Sequence, residues 1–349
     1  MRRRDVLLAA ALPALAALAR SARAALPDAV DTRDDAVARW LSGTAPLPDA
    51  PTLDWLGYAS TEDARWARAA PRIRAMREWS RRELASLVPG DRPVVYPFGG
   101  PDALHALALF EAAPRLLLIG LEPAVGVPAG ARDERPGYFS ELGDAMADLH
   151  RLTFFRTRDL ASQMNDVGVL PVLVATLVRM GGRVTRIAQP ASGRASVDWL
   201  SSDDHPHRLE YAQADLSNAA LARRPDFVAT LAGLAPHVTF VKAASYLLGE
   251  PRFSHVRRLI LDGSELLVQD DTGVPFSDLD AGWGTRLFGR YVAPASPFED
   301  RAQPDLASAY ARQAPASLPF GIGYHVSARS SNLLAGVRVR TRARAEARR

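Results

Sequence analysis

The sequence predicts an α/β protein with a doubly wound, mainly parallel sheet, antiparallel strands at the C-terminal end of that sheet and an N-terminal helical extension. Short apolar runs, typical of strands buried on both faces, alternate with segments of helical periodicity from Val94 onward. The chain has 349 residues, 48% of them hydrophobic, and it has no cysteine. It is therefore long enough to hold a large domain together by burial, without disulfides or thiolate-bound metal.

The first 24 residues have the features of a signal peptide. Arginines at 2–4 precede an apolar run over 6–19, and residues 22–24 form an Ala-x-Ala cleavage site. The last two of these arginines, followed by one polar and two apolar residues, resemble a twin-arginine export signal. An ordinary secretory signal and an uncleaved anchor are the alternatives, although the apolar run is short for a membrane span. We therefore expect a periplasmic or otherwise exported protein, cleaved near Ala24, with no transmembrane span in the mature chain.

The distribution of charge argues against a nucleic-acid partner. The formal net charge is +4, but residues 1–24 carry five Arg and one Asp, and residues 338–349 carry six Arg and one Glu. Residues 25–337 are therefore acidic, at about −5, and offer no basic surface to neutralise a phosphate backbone. We expect the basic tail, 338–349, to be a disordered terminus. Contact of this tail with an anionic lipid or polymer is the alternative.

Residues 25–90 are predicted to form a Pro-rich and helical extension packed on a core domain of residues 91–337. Ser60 is a candidate N-cap, and Pro71 is a candidate kink or break in the helix that follows. Large apolar residues recur there at near-helical spacing, namely Trp66, Ile73, Met76 and Trp79. Such spacing favours a packed core over an aromatic binding platform.

Within the core domain, Gly and Pro residues separate the predicted elements. Strands are expected at 94–98, 116–121, 183–188, 209–214, 238–242, 265–269, 287–292 and 319–325. Helices are expected at 102–113, 138–152, 169–182 and 254–261. Ligands of doubly wound sheets bind beyond the carboxyl ends of the strands, so the residues that follow each strand are the candidate site residues.

A glycine turn follows the first predicted strand. Tyr96 lies near the end of this strand, Gly99 and Gly100 follow it, and Asp102 opens the next helix. Glycines at such a turn let backbone amides approach a ligand, and the helix N-terminus adds a partial positive charge. This pattern predicts a ligand-binding turn.

Glu122 follows the second strand about twenty residues after the glycines. An acidic residue at this place accepts hydrogen bonds from ribose hydroxyls in dinucleotide and methyl-donor sites. The two adjacent glycines do not form G-x-G-x-x-G, however, and Pro101 lacks the amide that a phosphate uses. An ordinary βα turn, in which Asp102 complements the helix dipole, is the alternative interpretation.

Lys242 is the only lysine in a chain with 42 arginines. It lies at the end of a predicted strand. Its amine is more compact than an arginine guanidinium and is more easily deprotonated, so we expect it to act as a point charge, as an acid or base, or as a nucleophile. Tyr246 shares a helix face with Lys242 if a helix begins there. Chance retention or a buried structural ion pair is the alternative.

Gln269, Asp270 and Asp271 end a later strand. Paired carboxylates at this place can accept hydrogen bonds from hydroxyl groups or bind a metal. Asp and Gly at a strand end are, however, also common turn residues. The Asp-Thr-Gly sequence at 271–273 occurs once, whereas an aspartic protease needs two such loops. Neither a G-x-S-x-G nucleophile motif nor a Walker A loop is present.

Five sequence blocks resemble a group of uncharacterised exported bacterial proteins. They are YPFGGPD at 96–102, GLEP at 120–123, KAASYL at 242–247, QDDTGVP at 269–275 and FGIGY at 320–324. The resemblance implies that these blocks belong to one domain, and it supplies no mechanism. The order of elements also resembles a Rossmann-type, methyltransferase-like fold, although the methyl donor of such enzymes is a cytoplasmic molecule.

We therefore predict an exported protein that binds a small molecule at the carboxyl ends of its strands. In an enzyme, Lys242, Asp270 and Asp271 supply acid–base or electrostatic groups. The predicted ligand-binding residues are Tyr96, Gly99, Gly100, Asp102, Glu122, Tyr246 and Gln269, and the ligand is hydroxylated or anionic. A non-catalytic binding protein and a degenerate methyltransferase-like domain are the alternatives. No metal site is predicted, and the sequence identifies no cofactor.

Overall fold

The computed structural model describes residues 32–48, 52–87, 90–130, 135–152 and 167–339, and nine strands of these residues form one sheet. The predicted signal peptide lies outside the described residues, as does the predicted basic tail beyond Val339. Arg338, with which this tail was predicted to begin, is the last residue of a strand.

The sheet is parallel in its middle and antiparallel at both ends. Its strands are β1 (Val94–Tyr96), β2 (Arg115–Gly120), β3 (Arg183–Ala191), β4 (Arg194–Leu200), β5 (Pro206–Gln213), β6 (His237–Val241), β7 (Ser264–Gln269), β8 (Trp283–Gly289) and β9 (Asn332–Arg338). Their order across the sheet is β3-β4-β5-β2-β1-β6-β7-β9-β8. The strands from β5 to β7 run parallel, whereas β3, β4 and β9 are antiparallel to their neighbours. The predicted α/β class and the antiparallel strands at the C-terminal end are confirmed.

Helices cover both faces of the sheet. They are α1 (Thr32–Leu41), α2 (Leu53–Glu83), α3 (Ala103–Leu109), α4 (Tyr138–Leu152), α5 (Val169–Arg179), α6 (Asn218–Ala222), α7 (Pro225–Ala232), α8 (Ser254–Gly263) and α9 (Pro304–Arg312). Successive residues of β2 show the two layers, because Leu118 packs in the core beneath α1 to α5 and Ile119 packs beneath α6 to α8. Among the described residues, no helix combines the length and the apolar character needed to cross a membrane.

The N-terminal extension packs on the core domain, with α1 against β3 and α2 against the helices α3 and α4. Thr52 caps this helix by accepting a hydrogen bond from the backbone N–H of Trp55 at 3.1 Å, so the predicted start at Ser60 is wrong. The predicted break at Pro71 is also wrong, since the helix continues through it. The buried side chains of Trp66, Ile73, Met76 and Trp79 lie in the main core, and this packing holds the helix on both sides of the proline.

The last two strands differ from their predicted positions. The segment 319–325 forms a buried turn instead of a strand, because the chain folds back so closely that a Cβ on Gly321 would lie 2.1 Å from the carbonyl oxygen of His325. The strand beside β7 is β9, which begins at Asn332. The sequence pattern did not predict α1, β4, α6, α7 or α9.

Replacement of Leu118 by Ala should lower the free energy of unfolding by about 2–5 kcal/mol, because this fully buried side chain leaves a cavity between β2 and the helices. Leu53→Ala is the matched control, since Leu53 is 87% exposed and its truncation should change stability by less than about 0.5 kcal/mol. Urea unfolding of both variants measures the difference, and equal losses would contradict the packing described here.

Candidate functional site

A cleft opens at the carboxyl ends of β1, β2, β5 and β6. Its volume is about 140 Å³. Each strand end contributes residues to its lining, among them Tyr96, Gly99, Gly100, Glu122, Asp215 and Lys242. The cleft therefore lies at the edge where doubly wound sheets bind their ligands.

Two glycines make room for the Glu122 side chain. Gly100 has a φ of +53°, and a Cβ on it would lie 2.9 Å from Glu122 Oε2. A Cβ on Gly120 would lie 2.4 Å from the same oxygen and 2.6 Å from the Cα of Gly100. A Cβ atom at either position would clash with these neighbours. The close approach of the two strand ends therefore depends on glycine at both positions.

Glu122 is a largely buried carboxylate on the wall of the cleft. It is 7% exposed, and the Tyr211 hydroxyl donates a hydrogen bond to its backbone carbonyl at 2.7 Å. The contact from the same hydroxyl to Glu122 Oε2 is long, at 3.5 Å. Burial raises the pKa of the Glu122 carboxyl above its usual value. Hydrogen bonds from the backbone of Glu122 and Leu121 oppose this rise in pKa. A carboxylate has about four acceptor positions, so it keeps capacity for a ligand hydroxyl.

Lys242 and Asp102 form a buried ion pair at the bottom of the cleft. The Lys242 ammonium donates to Asp102 Oδ2, and the Tyr96 hydroxyl donates to the same oxygen at 3.1 Å. Burial alone would raise the pKa of Asp102, but the positive charge of Lys242 is the largest opposing cause, and this pKa stays below its usual value. Burial lowers the pKa of Lys242, and Asp102 opposes that shift. The charge of the only lysine is therefore balanced inside the protein.

His105 is fully buried beside this ion pair. Its Nδ1 lies 3.8 Å from Asp102 Oδ1, and neither ring nitrogen has a hydrogen-bond partner among the described residues. Burial, and after it the positive charge of Lys242, lowers the pKa of His105 to about 4. The imidazole is therefore neutral at physiological pH.

A strained loop, residues 243–246, forms the side of the cleft that follows β6. Ala243, Ser245 and Tyr246 have φ values of +50°, +50° and +58°, which side chains with a Cβ rarely adopt. Tyr246 therefore lies in a loop and not on a helix face shared with Lys242. The Tyr324 hydroxyl donates to the carbonyl of Ala243 at 3.1 Å and lies 2.6 Å from Ser245 Oγ.

The carboxylates after β7 hold this loop in place. Asp270 accepts a hydrogen bond from the backbone N–H of Ala243 at 2.9 Å, and Thr272 accepts one from Ala244 at 2.7 Å. Asp271 accepts a hydrogen bond from the Tyr246 hydroxyl. Burial, and after it the neighbouring Asp271, raises the pKa of Asp270 to about 6. The two carboxylates thus contact the outer side of the loop and are absent from the lining of the cleft.

The structure brings together some of the predicted site residues and separates others. Tyr96, Gly99, Gly100, Glu122 and Lys242 line the cleft, and Asp102 lies directly behind Lys242. Tyr246 is part of the loop, Asp270 and Asp271 lie behind it, and the Gln269 side chain is bound to the backbone of Val274.

Several lining residues are absent from the sequence prediction, including Phe98, Gly120, Asp215, Ser245 and Phe253. Asp215 follows the predicted strand 209–214 in the same way that Glu122 follows its strand, so strand-end position was a usable signal. Phe98, at the end of the predicted strand 94–98, had the same signal, whereas Phe253 lies in a short turn before α8 and had none.

The described residues contain no group of three or more His, Asp or Glu side chains arranged to hold a metal ion. Comparison of the chain with protein-family models, with curated proteins and with solved structures finds no match.

Replacement of His105 by Gln should flatten the pH dependence of stability between pH 6.5 and 4. In the wild type the unfolded histidine takes up a proton near pH 6.5, whereas the folded one, enclosed by Asp102 and Lys242, does so only near pH 4. Stability is therefore lost as the pH falls through this range, by about 1.4 kcal/mol per pH unit for this residue.

Urea unfolding at pH 4.5 and 7.0 measures this effect. His205→Gln is the control, because His205 is exposed in a polar loop. If His105→Gln keeps the wild-type pH dependence of stability, the assignment of a neutral, buried imidazole to His105 is wrong.

Proposed function

We propose that this chain is an exported small-molecule-binding protein on a Rossmann-like scaffold, and that its ligand is a neutral or cationic molecule with vicinal hydroxyls, of the nucleoside class. The observation that carries the proposal is the Glu122 carboxylate, seated against Gly100 and Gly120 at the end of β2 with hydrogen-bonding capacity toward the cleft.

The order of the parallel strands supports the scaffold. Numbered among themselves along the chain, the strands β5-β2-β1-β6-β7 have the order 3-2-1-4-5, which is the doubly wound order. Its switch point lies between β1 and β6, and the cleft is lined by the ends of these two strands. The placement is that of a ligand site in this class of sheet.

The charges of the cleft favour a ligand without a phosphate. Pro101 has no N–H, and the short helix α3 begins with the side chain of Asp102 buried at its start. Asp102 also balances the charge of Lys242, whereas Glu122 and Asp215 add carboxylates to the lining. An anionic group would therefore meet negative charge, and among the described residues that line the cleft the only cation, Lys242, is already balanced by Asp102. Of the hydroxylated and anionic ligands predicted from the sequence, the hydroxylated class fits better.

The apolar part of the lining suits a planar base. Phe98 and Phe253 lie at a ring-centroid distance of 5.8 Å in an edge-to-face arrangement, and Leu216 and Leu247 add aliphatic surface beside them. Asp215 also lines the cleft; its Oδ1 accepts a hydrogen bond from the backbone N–H of Ser217, and its other oxygen can accept one from an amino group. A nucleoside can place its sugar at Glu122 and its base against these residues.

The resemblance to exported bacterial proteins stays a proposal, and the positions of the five blocks support it. YPFGGPD and GLEP border the cleft, and KAASYL contains Lys242 and the strained loop. QDDTGVP and FGIGY supply Asp270 and Tyr324, which bind the loop from behind. The blocks thus form one continuous part of the domain.

An enzyme that uses Lys242 is the second candidate, and a degenerate methyltransferase-like domain is one form of it. The observation in its favour is that Lys242 lines the cleft at a strand end while burial lowers its pKa, which eases proton transfer. Asp270 and Asp271 contribute through the loop 243–246 rather than by contact with a ligand.

Adenosine should bind the wild-type protein, and Glu122→Gln should weaken this binding about tenfold, because the charged acceptor for the ribose hydroxyls is lost. Isothermal titration calorimetry measures both affinities. Glu299→Gln is the matched control on an exposed residue away from the cleft. 2′-Deoxyadenosine and adenosine monophosphate should both bind more weakly than adenosine. Equal binding of adenosine and 2′-deoxyadenosine, or no effect of Glu122→Gln, would contradict the proposal.

Lys242→Arg separates the binding protein from the enzyme. The variant keeps a positive charge beside Asp102, but the larger guanidinium should destabilise the fully buried site by about 1–3 kcal/mol. In a binding protein, adenosine affinity should change less than in Glu122→Gln. In an enzyme, the wild type should convert a bound nucleoside to a product that the variant does not form. Mass spectrometry of the ligand recovered from each protein measures conversion.

A further inference from the structure

A second cavity, the arginine groove, runs along α2 and shares no lining residue with the cleft. Its volume is about 640 Å³. Residues 63, 67, 70, 74, 77 and 81 line it at spacings of three and four, which is one face of the helix. Arg179 and Met180, at the end of α5, form the opposite side.

Positive charge collects at the C-terminal part of the groove. Arg77 and Arg81 both pair with Glu111, at 2.8 and 3.0 Å, so one carboxylate is shared by two guanidinium groups. Arg74, which precedes them on the same face, is exposed and has no ion pair or hydrogen bond among the described residues. Arginines in this arrangement match the two oxygens of a carboxylate or phosphate.

The N-terminal part of the groove is apolar, except for the ion pair of Asp63 at its far end. Ala67 and Ala70 expose small side chains, and Ile73 lies beside them. Met180, which follows α5, also lines the groove, and its carbonyl accepts a hydrogen bond from Arg77 at 2.8 Å. Asp63 closes this end and is paired with Arg179. The groove is therefore asymmetric, with unbalanced positive charge at one end and a neutral apolar floor toward the other.

We propose that the arginine groove binds an anionic amphiphile with one head group, whose carboxylate or phosphate lies at Arg74 and Arg77 and whose alkyl chain lies along Ala70 and Ala67. Arg77 lies ten residues after Ala67, a distance of about 15 Å along the helix, which is enough for a medium-length chain. Charge complementarity selects the head group, and the small alanine side chains leave room for the alkyl chain next to the helix. This site is independent of the nucleoside-type site.

Decanoate, kept below its micellar concentration, tests the proposal by isothermal titration calorimetry on the full chain. We expect saturable binding with a stoichiometry of one, and about tenfold weaker binding for Arg74→Gln, because a charge-assisted contact is lost. Arg82→Gln is the matched control, since Arg82 lies on the same helix but outside the groove and pairs with Glu83. It should bind decanoate as the wild type does.

Three further ligands and one variant complete the test. 1-Decanol should bind much more weakly than decanoate, since it lacks the charge, and acetate should show no binding, since it lacks the chain. Comparison of the affinities of decyl phosphate and decanoate shows whether the groove prefers a phosphate or a carboxylate head group. Glu122→Gln should leave decanoate binding unchanged, so failure of the nucleoside proposal is distinguishable from failure here. Absence of saturable decanoate binding, equal binding of 1-decanol, or no effect of Arg74→Gln would overturn the proposal.

Discussion

The buried ion pair between Lys242 and Asp102 is the interaction on which the cleft depends. It joins the end of β6 to the beginning of α3 across β1, and the Tyr96 hydroxyl of β1 donates to the same carboxylate. Loss of one partner of such a pair leaves an uncompensated charge in the interior and typically costs about 3–5 kcal/mol. The pair therefore holds two strand ends and a helix start in register, and it removes free positive charge from the bottom of the cleft.

A second layer of polar contacts supports the loop that follows Lys242. Three residues of this loop have positive φ values without being glycine, a conformation that persists only where the surroundings impose it. Asp270, Thr272 and Tyr324 bind its backbone. The carboxylates that follow β7 thus act on the shape of the cleft through the loop. Strain held next to a cleft is a common feature of ligand sites, which is why the loop matters for both candidate functions.

The cleft and the arginine groove differ in the balance of their charges. In the cleft, Lys242 is balanced by Asp102, and the carboxylates of Glu122 and Asp215 belong to the lining. In the groove, Arg77 and Arg81 share Glu111, so positive charge remains. The net charge of the chain does not show that the charge is balanced in the cleft and unbalanced in the groove. What decides this is which ionic side chains are paired inside the protein.

The sequence by itself determined the fold class, the strands that carry the cleft and the strand ends at which Glu122 and Lys242 lie, because apolar runs and glycine turns are local signals. It did not determine the last strand, since both 319–325 and β9 are apolar and only packing against β7 distinguishes them. The pairing of Lys242 with Asp102, 140 residues apart, and the position of Asp270 behind the loop were decided by the tertiary structure alone. A single sequence shows where a charged side chain enters a sheet edge, but its partner comes from another strand, and the partner determines whether the charge is free to act.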